Sequence, residues 1–160
     1  MSEHYDVIII GTGPAGIFSA LELVKQQGLK VLMIEKGSDI DNRTCPMHDA
    51  DMPCARCELC GILCGWGGAG AYSDGKLTLT SAFGGWLGEY LPQNELDALI
   101  AYVDDVYRHY GAGQEVHGGD TAAVERLRRK ARSYDLELVP ARIRHIGTDL
   151  CRDVLKAIRD

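Results

Sequence analysis

The chain has no long apolar run. The longest strongly apolar stretch near its start is Val7 to Ile10, far short of the roughly 20 residues that span a bilayer, so no transmembrane helix and no membrane partner are expected. Ser2-Glu3-His4-Tyr5-Asp6 carries no basic n-region, and no small-residue cleavage site follows. No secretory signal is read, and the expected compartment is the cytoplasm. Positive charge is also in short supply: 17 Lys plus Arg against 23 Asp plus Glu give a formal charge of −6, which argues against a nucleic-acid partner. The exception is the local basic run Arg126, Arg128, Arg129, Lys130 and Arg132, a candidate phosphate-binding patch that reads better as a solvated helix face, because no aromatic residues interleave it. There is no internal repeat or low-complexity tract, and no Ser-His-Asp, Cys-His or paired-carboxylate arrangement stands out. What the chain does have is glycine and cysteine. Its 19 glycines and six cysteines in 160 residues exceed ordinary usage, glycine standing at about 12% against a typical value of about 7%. With 46% hydrophobic and 25% charged residues, the rest of the composition is that of a globular domain.

Hydrophobic periodicity divides the chain. Asp6-Val7-Ile8-Ile9-Ile10 is a β-branched run ending at glycine, the pattern of a parallel strand buried on both faces. Ile17, Leu21 and Val24 recur at helical spacing between Pro14 and Gln27, and Gly28 follows as a stop. Lys30 to Glu35 reads as a second buried strand, so residues 5 to 35 form one βαβ unit. Residues 37 to 90 lose all periodicity and hold five of the cysteines; a loop that long is expected to bind something. Leu96, Leu99, Ile100, Val103, Val106, Tyr107 and Tyr110 then mark one face of a helix stopped by Gly111. A basic helix is expected after Asp120 as N-cap, an extended segment from Leu136 to Ile146 around Pro140, and a further helix from Asp149.

Gly11-Thr12-Gly13-Pro14-Ala15-Gly16 is a G-x-G-x-x-G motif between strand and helix, with Glu35 closing the second strand and Lys36 beside it. Gly11 permits the tight turn, Gly13 lets a diphosphate approach the backbone, and Gly16 allows close helix-strand packing. Pro14 suits helix position N1. The helix N-terminus, including Ala15, offers orphan N–H groups to the diphosphate. Glu35 is expected to accept a hydrogen bond from the adenosine ribose, and its charge to repel a 2′-phosphate, so FAD or NAD fits better than NADP.

These contacts alone leave FAD and NAD open. The opening YDVIIIGTGPAGIFSALEL with VLMIEKG resembles the ADP-binding segment of two-dinucleotide-binding-domain flavoproteins. The stretch CARCELCGILCGWGGAGAYSDGKLTLTSAFGGWL resembles the signature region of a bacterial family of largely uncharacterised FAD-dependent dehydrogenases, also called NAD(P)/FAD-dependent oxidoreductases. The resemblance implies an α/β, Rossmann-like FAD/NAD(P)-binding domain, with Gly11, Gly13, Gly16 and Glu35 holding FAD and the Gly67-Gly68-Ala69-Gly70 loop near the flavin. Members of that family are much longer. Together with the small number of strands, this leads us to expect an incomplete N-terminal fragment with exposed apolar surface. Its expected layout is a dinucleotide-binding unit over 1–37, a Cys/Gly-rich flavin-facing insertion over 38–90, and a mostly helical segment over 91–160. The expected activity is that of an FAD-dependent oxidoreductase acting on a small-molecule substrate and an electron acceptor, with NAD(P)H as a candidate electron partner. An NAD-dependent dehydrogenase and a non-catalytic metal or iron-sulfur module are the alternatives.

Cys54, Cys57, Cys60 and Cys64 are spaced C-x2-C-x2-C-x3-C, the run that wraps a [4Fe-4S] cluster in bacterial ferredoxins, although Gly65 stands where those have Pro. Cys45 competes with Cys64 as fourth ligand. Zinc with Cys45 or His48, a redox dithiol, and inert buried thiols remain open beside the cluster. The Gly65 to Ala71 run suits a close backbone approach to a ligand. Ser73, Asp74 and Lys76 follow it as weak catalytic candidates, Lys76 as a cation near a reduced flavin and otherwise as part of a solvated turn.

Overall fold

The computed structural model describes residues 4–160, which divide into two compact units: residues up to Ser73 together with Cys151–Asp160, and Asp74–Leu150.

The first unit opens with the expected βαβ arrangement. Strand β1 (Val7–Ile10) pairs in parallel with β2 (Val31–Ile34), Val7 opposite Val31 and Ile10 opposite Ile34. Helix α1 (Pro14–Leu23) connects them and packs on this sheet. It is one turn shorter than its apolar spacing predicts: Val24 is already its C-cap, and Gly28 at φ +86° closes the turn beyond. The expectation that β1 is buried on both faces fails. Helix α1 covers the side of Ile9, while Ile8, Ile10 and Ile34 on the other side are 56%, 86% and 47% exposed. A parallel strand needs a layer on each face, and α1 supplies one.

The unperiodic region after β2 contains a 3-10 turn at Ile40–Asn42, a short helix α2 (Pro46–Asp49) and a second 3-10 turn at Gly68–Tyr72. Much of the core of this unit forms between that region and the far end of the chain. Cys151, Val154, Leu155 and Ile158 recur at i, i+3, i+4 and i+7, and all are buried with Ile40 and Ala71. Trp66 Nε1 donates to Leu155 O at 2.7 Å and Arg152 to Ile40 O at 2.8 Å. Arg159 pairs with Asp39, and Lys156 with Asp41.

In the second unit β3 (Lys76–Thr78) pairs antiparallel with β4 (Ile143–His145), Leu77 facing Arg144. The extended segment expected from Leu136 is therefore a strand only over its last part, since Pro140 lacks the N–H a ladder requires. Helix α3 (Gln93–His109) buries Leu96. Helix α4 (Thr121–Arg132) is capped as expected, the Asp120 carboxylate accepting from Ala123 N at 2.9 Å. Its basic side chains form a solvated face, with none of its residues buried and Arg128 paired to Glu125 at 3.4 Å. Arg144 Nε and Nη2 donate to the two oxygens of Asp104 at 2.6 and 2.8 Å, and Nη1 to Gly113 O, tying β4 to α3 and to the chain after it. Helix α5 (Thr148–Arg159) carries the chain back into the first unit from Cys151 onward. Among the described residues, no helix is long and apolar enough to cross a membrane.

Candidate dinucleotide site

The site starts where β1 ends. Gly11 adopts φ +96°, a left-handed conformation that favours glycine, and its N–H donates to Ile34 O at 2.7 Å. Gly13 is the N-cap of α1 with no side-chain cap, Pro14 takes N1, and Ile17 N returns to Gly13 O at 3.0 Å. The two later glycines of the motif do different work. A Cβ on Gly16 would stand 2.0 Å from Gly11 O, so this residue must be glycine for the helix to pack on the turn. A Cβ on Gly13 would meet nothing within 4 Å, and the same holds at Gly11 and Gly70. The backbone beside the α1 N-terminus therefore borders open space. Ala15 and Lys36 are exposed there.

Glu35 joins this turn to the second glycine run. Its Oε2 accepts from Thr12 N at 2.8 Å and Thr12 Oγ1 at 3.0 Å. Its Oε1 accepts from Gly37 N and from Gly65 N, both at 2.9 Å. Partial burial pushes this carboxyl up, but the hydrogen bonds from Thr12, Gly37 and Gly65 outweigh it and hold the pKa at about 2. An ionised carboxylate has about four acceptor positions, and protein donors take four. A ribose hydroxyl would have to share or replace one of them.

The Gly65–Gly70 loop lies directly on the Gly11–Gly16 turn. Gly67 N donates to Thr12 O at 2.9 Å, and a Cβ on Gly68 would lie 3.1 Å from Gly13 Cα. Gly65, Gly67 and Gly68 all have positive φ, at +114°, +84° and +58°. The structure thus brings Gly11, Gly13, Pro14, Gly16, Glu35, Gly67 and Gly68 into one locality. Ala69 and Gly70 continue from it in the 3-10 turn.

Periodicity and motifs gave no sign of Arg43. Its side chain is buried, the residue being 1% exposed, and it donates to Gly61 O at 3.0 Å, Ile62 O at 2.6 Å, and Trp66 O and Gly68 O at 2.7 Å each. Its guanidinium sits 5.1 Å from the centre of the Tyr72 ring, and Tyr72 Oη donates back to Arg43 O. An arginine among cysteines and glycines carries no sequence signal of this kind, because its acceptors lie 18 to 25 residues away.

The cysteine cluster needs correction. Among the described residues no group of three or more His, Cys, Asp and Glu side chains is placed to hold a metal ion. Cys54 and Cys57 are exposed, Cys60, Cys64 and Cys45 half-buried, and all are free thiols. The physical reason is that the two halves of the run serve different hosts. Cys60 to Cys64 forms a turn, with Cys64 N on Cys60 O at 2.8 Å, and the carbonyls of Gly61 and Ile62 within that turn are committed to Arg43. Cys54 to Cys57 is irregular exposed chain in which Arg56 N donates to the Cys54 sulfur at 3.4 Å. Neither a [4Fe-4S] cluster nor zinc is supported by this arrangement. Cys151 is buried, its Sγ is 3.5 Å from Gly70 O, and burial pushes its thiol pKa up.

Of the weak catalytic candidates, Lys76 Nζ meets Asp74 Oδ2 at 2.7 Å in an exposed ion pair. Ser73 Oγ donates to Gly70 O at 3.0 Å.

Comparison with known proteins bears on the same segment. Residues 5–53 match the family described as Pyridine nucleotide-disulphide oxidoreductase. An uncharacterized protein of Clostridium beijerinckii is 32% identical over 154 residues, 96% of this chain and 22% of that protein. Digeranylgeranylglycerophospholipid reductase 2 of Methanococcoides burtonii and digeranylgeranylglycerophospholipid reductase of Picrophilus torridus are each 52% identical over 40 residues, 25% of this chain and 10% of theirs. The chain thus spans between a tenth and about a fifth of the length of these relatives. No solved structure is a significant match. The N-terminal segment has the Rossmann-like FAD/NAD(P)-binding fold that the matched family model implies.

Proposed function

We propose that this chain is the FAD-binding portion of a flavin-dependent dehydrogenase. In this reading it transfers hydride or electrons between a small-molecule substrate and an electron acceptor in the cytoplasm, with NAD(P)H as an electron partner. The observation that carries the reading is the junction of the two glycine runs. Gly67 N rests on Thr12 O at 2.9 Å, Glu35 bonds both runs, and open space borders Gly13 and Gly70. Such a cradle fits a diphosphate: N–H groups and the positive end of α1 face it, and among the described residues no atom comes within 4 Å of a Cβ placed on Gly13 or Gly70. Gly11, Gly13, Ala15, Gly16 and the Gly67–Gly70 loop would hold the dinucleotide. Glu35, ionised above pH values of about 2, disfavours a 2′-phosphate and so favours FAD or NAD over NADP as the resident nucleotide. The likeness of Cys54 to Leu87 to the FAD-dependent dehydrogenases supports FAD.

Bound FAD supplies the hydride or electron transfer. The chain's own contribution is to hold and orient. Pro14 starts α1 in helical geometry, Gly16 keeps that helix against the turn, and Glu35 keeps the two loops together.

The test is the visible spectrum and FAD affinity of the full-length protein and its Gly13→Ala variant. At φ −71° alanine is tolerated, and its methyl meets only open space. The variant should unfold at the wild-type temperature yet bind FAD about tenfold or more weakly, because the methyl occupies the diphosphate's approach. A colourless protein that binds NAD instead would turn the reading to an NAD-dependent dehydrogenase. One that binds neither nucleotide would refute it.

A further inference from the structure

A buried arginine is normally matched by a carboxylate, because an uncompensated guanidinium is expensive to desolvate. Arg43 is matched by main-chain carbonyls. Its Nε and both Nη groups end on Gly61, Ile62, Trp66 and Gly68 oxygens at 2.6 to 3.0 Å. The planar fork of five donors suits this, gathering several carbonyl dipoles around one fixed cation. Gly65 makes room for it, since a Cβ there would lie 2.7 Å from Arg43 Cδ.

Carbonyls that point at Arg43 dictate where the adjoining N–H groups point. In a trans peptide the C=O of one residue and the N–H of the next are antiparallel. With Trp66 O on Arg43, the N–H of Gly67 must leave on the opposite side, and there it meets Thr12 O of the phosphate turn at 2.9 Å. With Gly68 O on Arg43, the N–H of Ala69 must likewise point away from the arginine. This peptide begins beside the start of α1, a Cβ on Gly68 lying 3.1 Å from Gly13 Cα and 3.7 Å from Pro14 Cδ. Ala69 is exposed.

We propose that Arg43 is a positioning residue: by drawing the Trp66 and Gly68 carbonyls inward it seats the Gly65–Gly70 loop on the Gly11–Gly16 turn and aims the Ala69 N–H outward as a main-chain donor for the dinucleotide's diphosphate. The inference deepens the dinucleotide reading and rests on it. It assigns to the loop a role in binding an anion, with Ala69 N–H as the donor that faces it. The charge stays beneath the loop, so Arg43 itself never touches the ligand. Lysine cannot substitute, because one ammonium cannot span four separated carbonyls.

The experiment uses the full-length protein freed of bound nucleotide, titrated calorimetrically with ADP and separately with adenosine. Arg43→Lys should weaken ADP about tenfold and leave adenosine within about twofold, since adenosine lacks the diphosphate that the loop addresses. A residue that served only general stability would move both ligands together or neither. Arg43→Lys with wild-type ADP affinity, or with equal loss of both ligands, overturns the proposal. Ala69→Pro decides the matter if Arg43→Lys does not fold. Proline removes the Ala69 N–H in the first turn of the 3-10 segment, where no intrahelical bond depends on it. Weaker ADP with unchanged adenosine supports the proposal, and unchanged ADP overturns it. Failure of the wild type to bind either ADP or FAD would instead overturn the dinucleotide reading, and this inference with it.

Discussion

Replacing Glu35 by Gln removes the charge that ties the two glycine runs together. The glutamine side chain keeps the shape of the protonated acid, but presents N–H groups where one oxygen accepted two hydrogen bonds. In the folded chain the carboxyl is held at about 2 against an ordinary value of 4.5, which corresponds to roughly 3 kcal/mol of stability from the ionised form. The sign follows from the direction of the shift. A carboxyl depressed on folding contributes in full above pH 4.5, contributes less as the pH falls below it, and contributes nothing below about pH 2. The Glu35→Gln variant should therefore be less stable than wild type by about 3 kcal/mol at pH 6 and by about half of that at pH 3. Other titrating groups, Asp41 and Asp104 among them, are common to both proteins and cancel in the difference. Urea unfolding followed by Trp66 fluorescence is the assay, because Trp66 adjoins the Gly65 N–H that Glu35 accepts. Trp86, 79% exposed, is replaced by Phe in both proteins so that it does not report alongside Trp66. A difference that stays constant between pH 6 and pH 3, or that is below about 1 kcal/mol at pH 6, would refute the account of Glu35 as the tie between the loops.

Two further outcomes are expected. Asp104→Ala strands Arg144, whose side chain is 4% exposed, and should destabilise the second unit by about 3 kcal/mol; a loss under about 1 kcal/mol in chemical unfolding would show that the carbonyls of Gly113 and Glu115, which also accept from Arg144 Nη1, suffice as partners. Among the thiols, Cys54 and Cys57 should react first with a water-soluble alkylating agent and Cys151 last, because Cys151 is buried and its thiolate disfavoured. Mass mapping of a time course checks the order. Protection of Cys54 and Cys57 in a preparation holding stoichiometric iron or zinc would mean that the cysteines converge after all.

Much of the site was legible because its conformational requirements are local. A β-branched run, a turn that needs Gly11 at positive φ, Pro14 at N1 and Asp120 as a cap each depend on neighbours within a few residues, and all are where the spacing places them. Lys30 to Glu35 was readable as a strand for the same reason. The boundaries drifted where a distant partner or a backbone donor was missing, as at Pro140 before β4.

The βαβ unit, the glycine turn and the helix faces follow from residue order alone, since periodicity and φ preference act along the chain. Packing across the chain sets the rest: Glu35 faces inward to Thr12 and Gly65, Arg43 gathers carbonyls from the glycine run, the cysteines form no metal-holding group among the described residues, and one face of β1 stays bare. The Glu35 and Arg43 contacts depend on which main-chain donors and acceptors come together across 18 to 30 residues, and the bare face of β1 on which layers pack against it. Residue type says that an arginine must find acceptors when buried; it does not say which carbonyls the fold will bring to it.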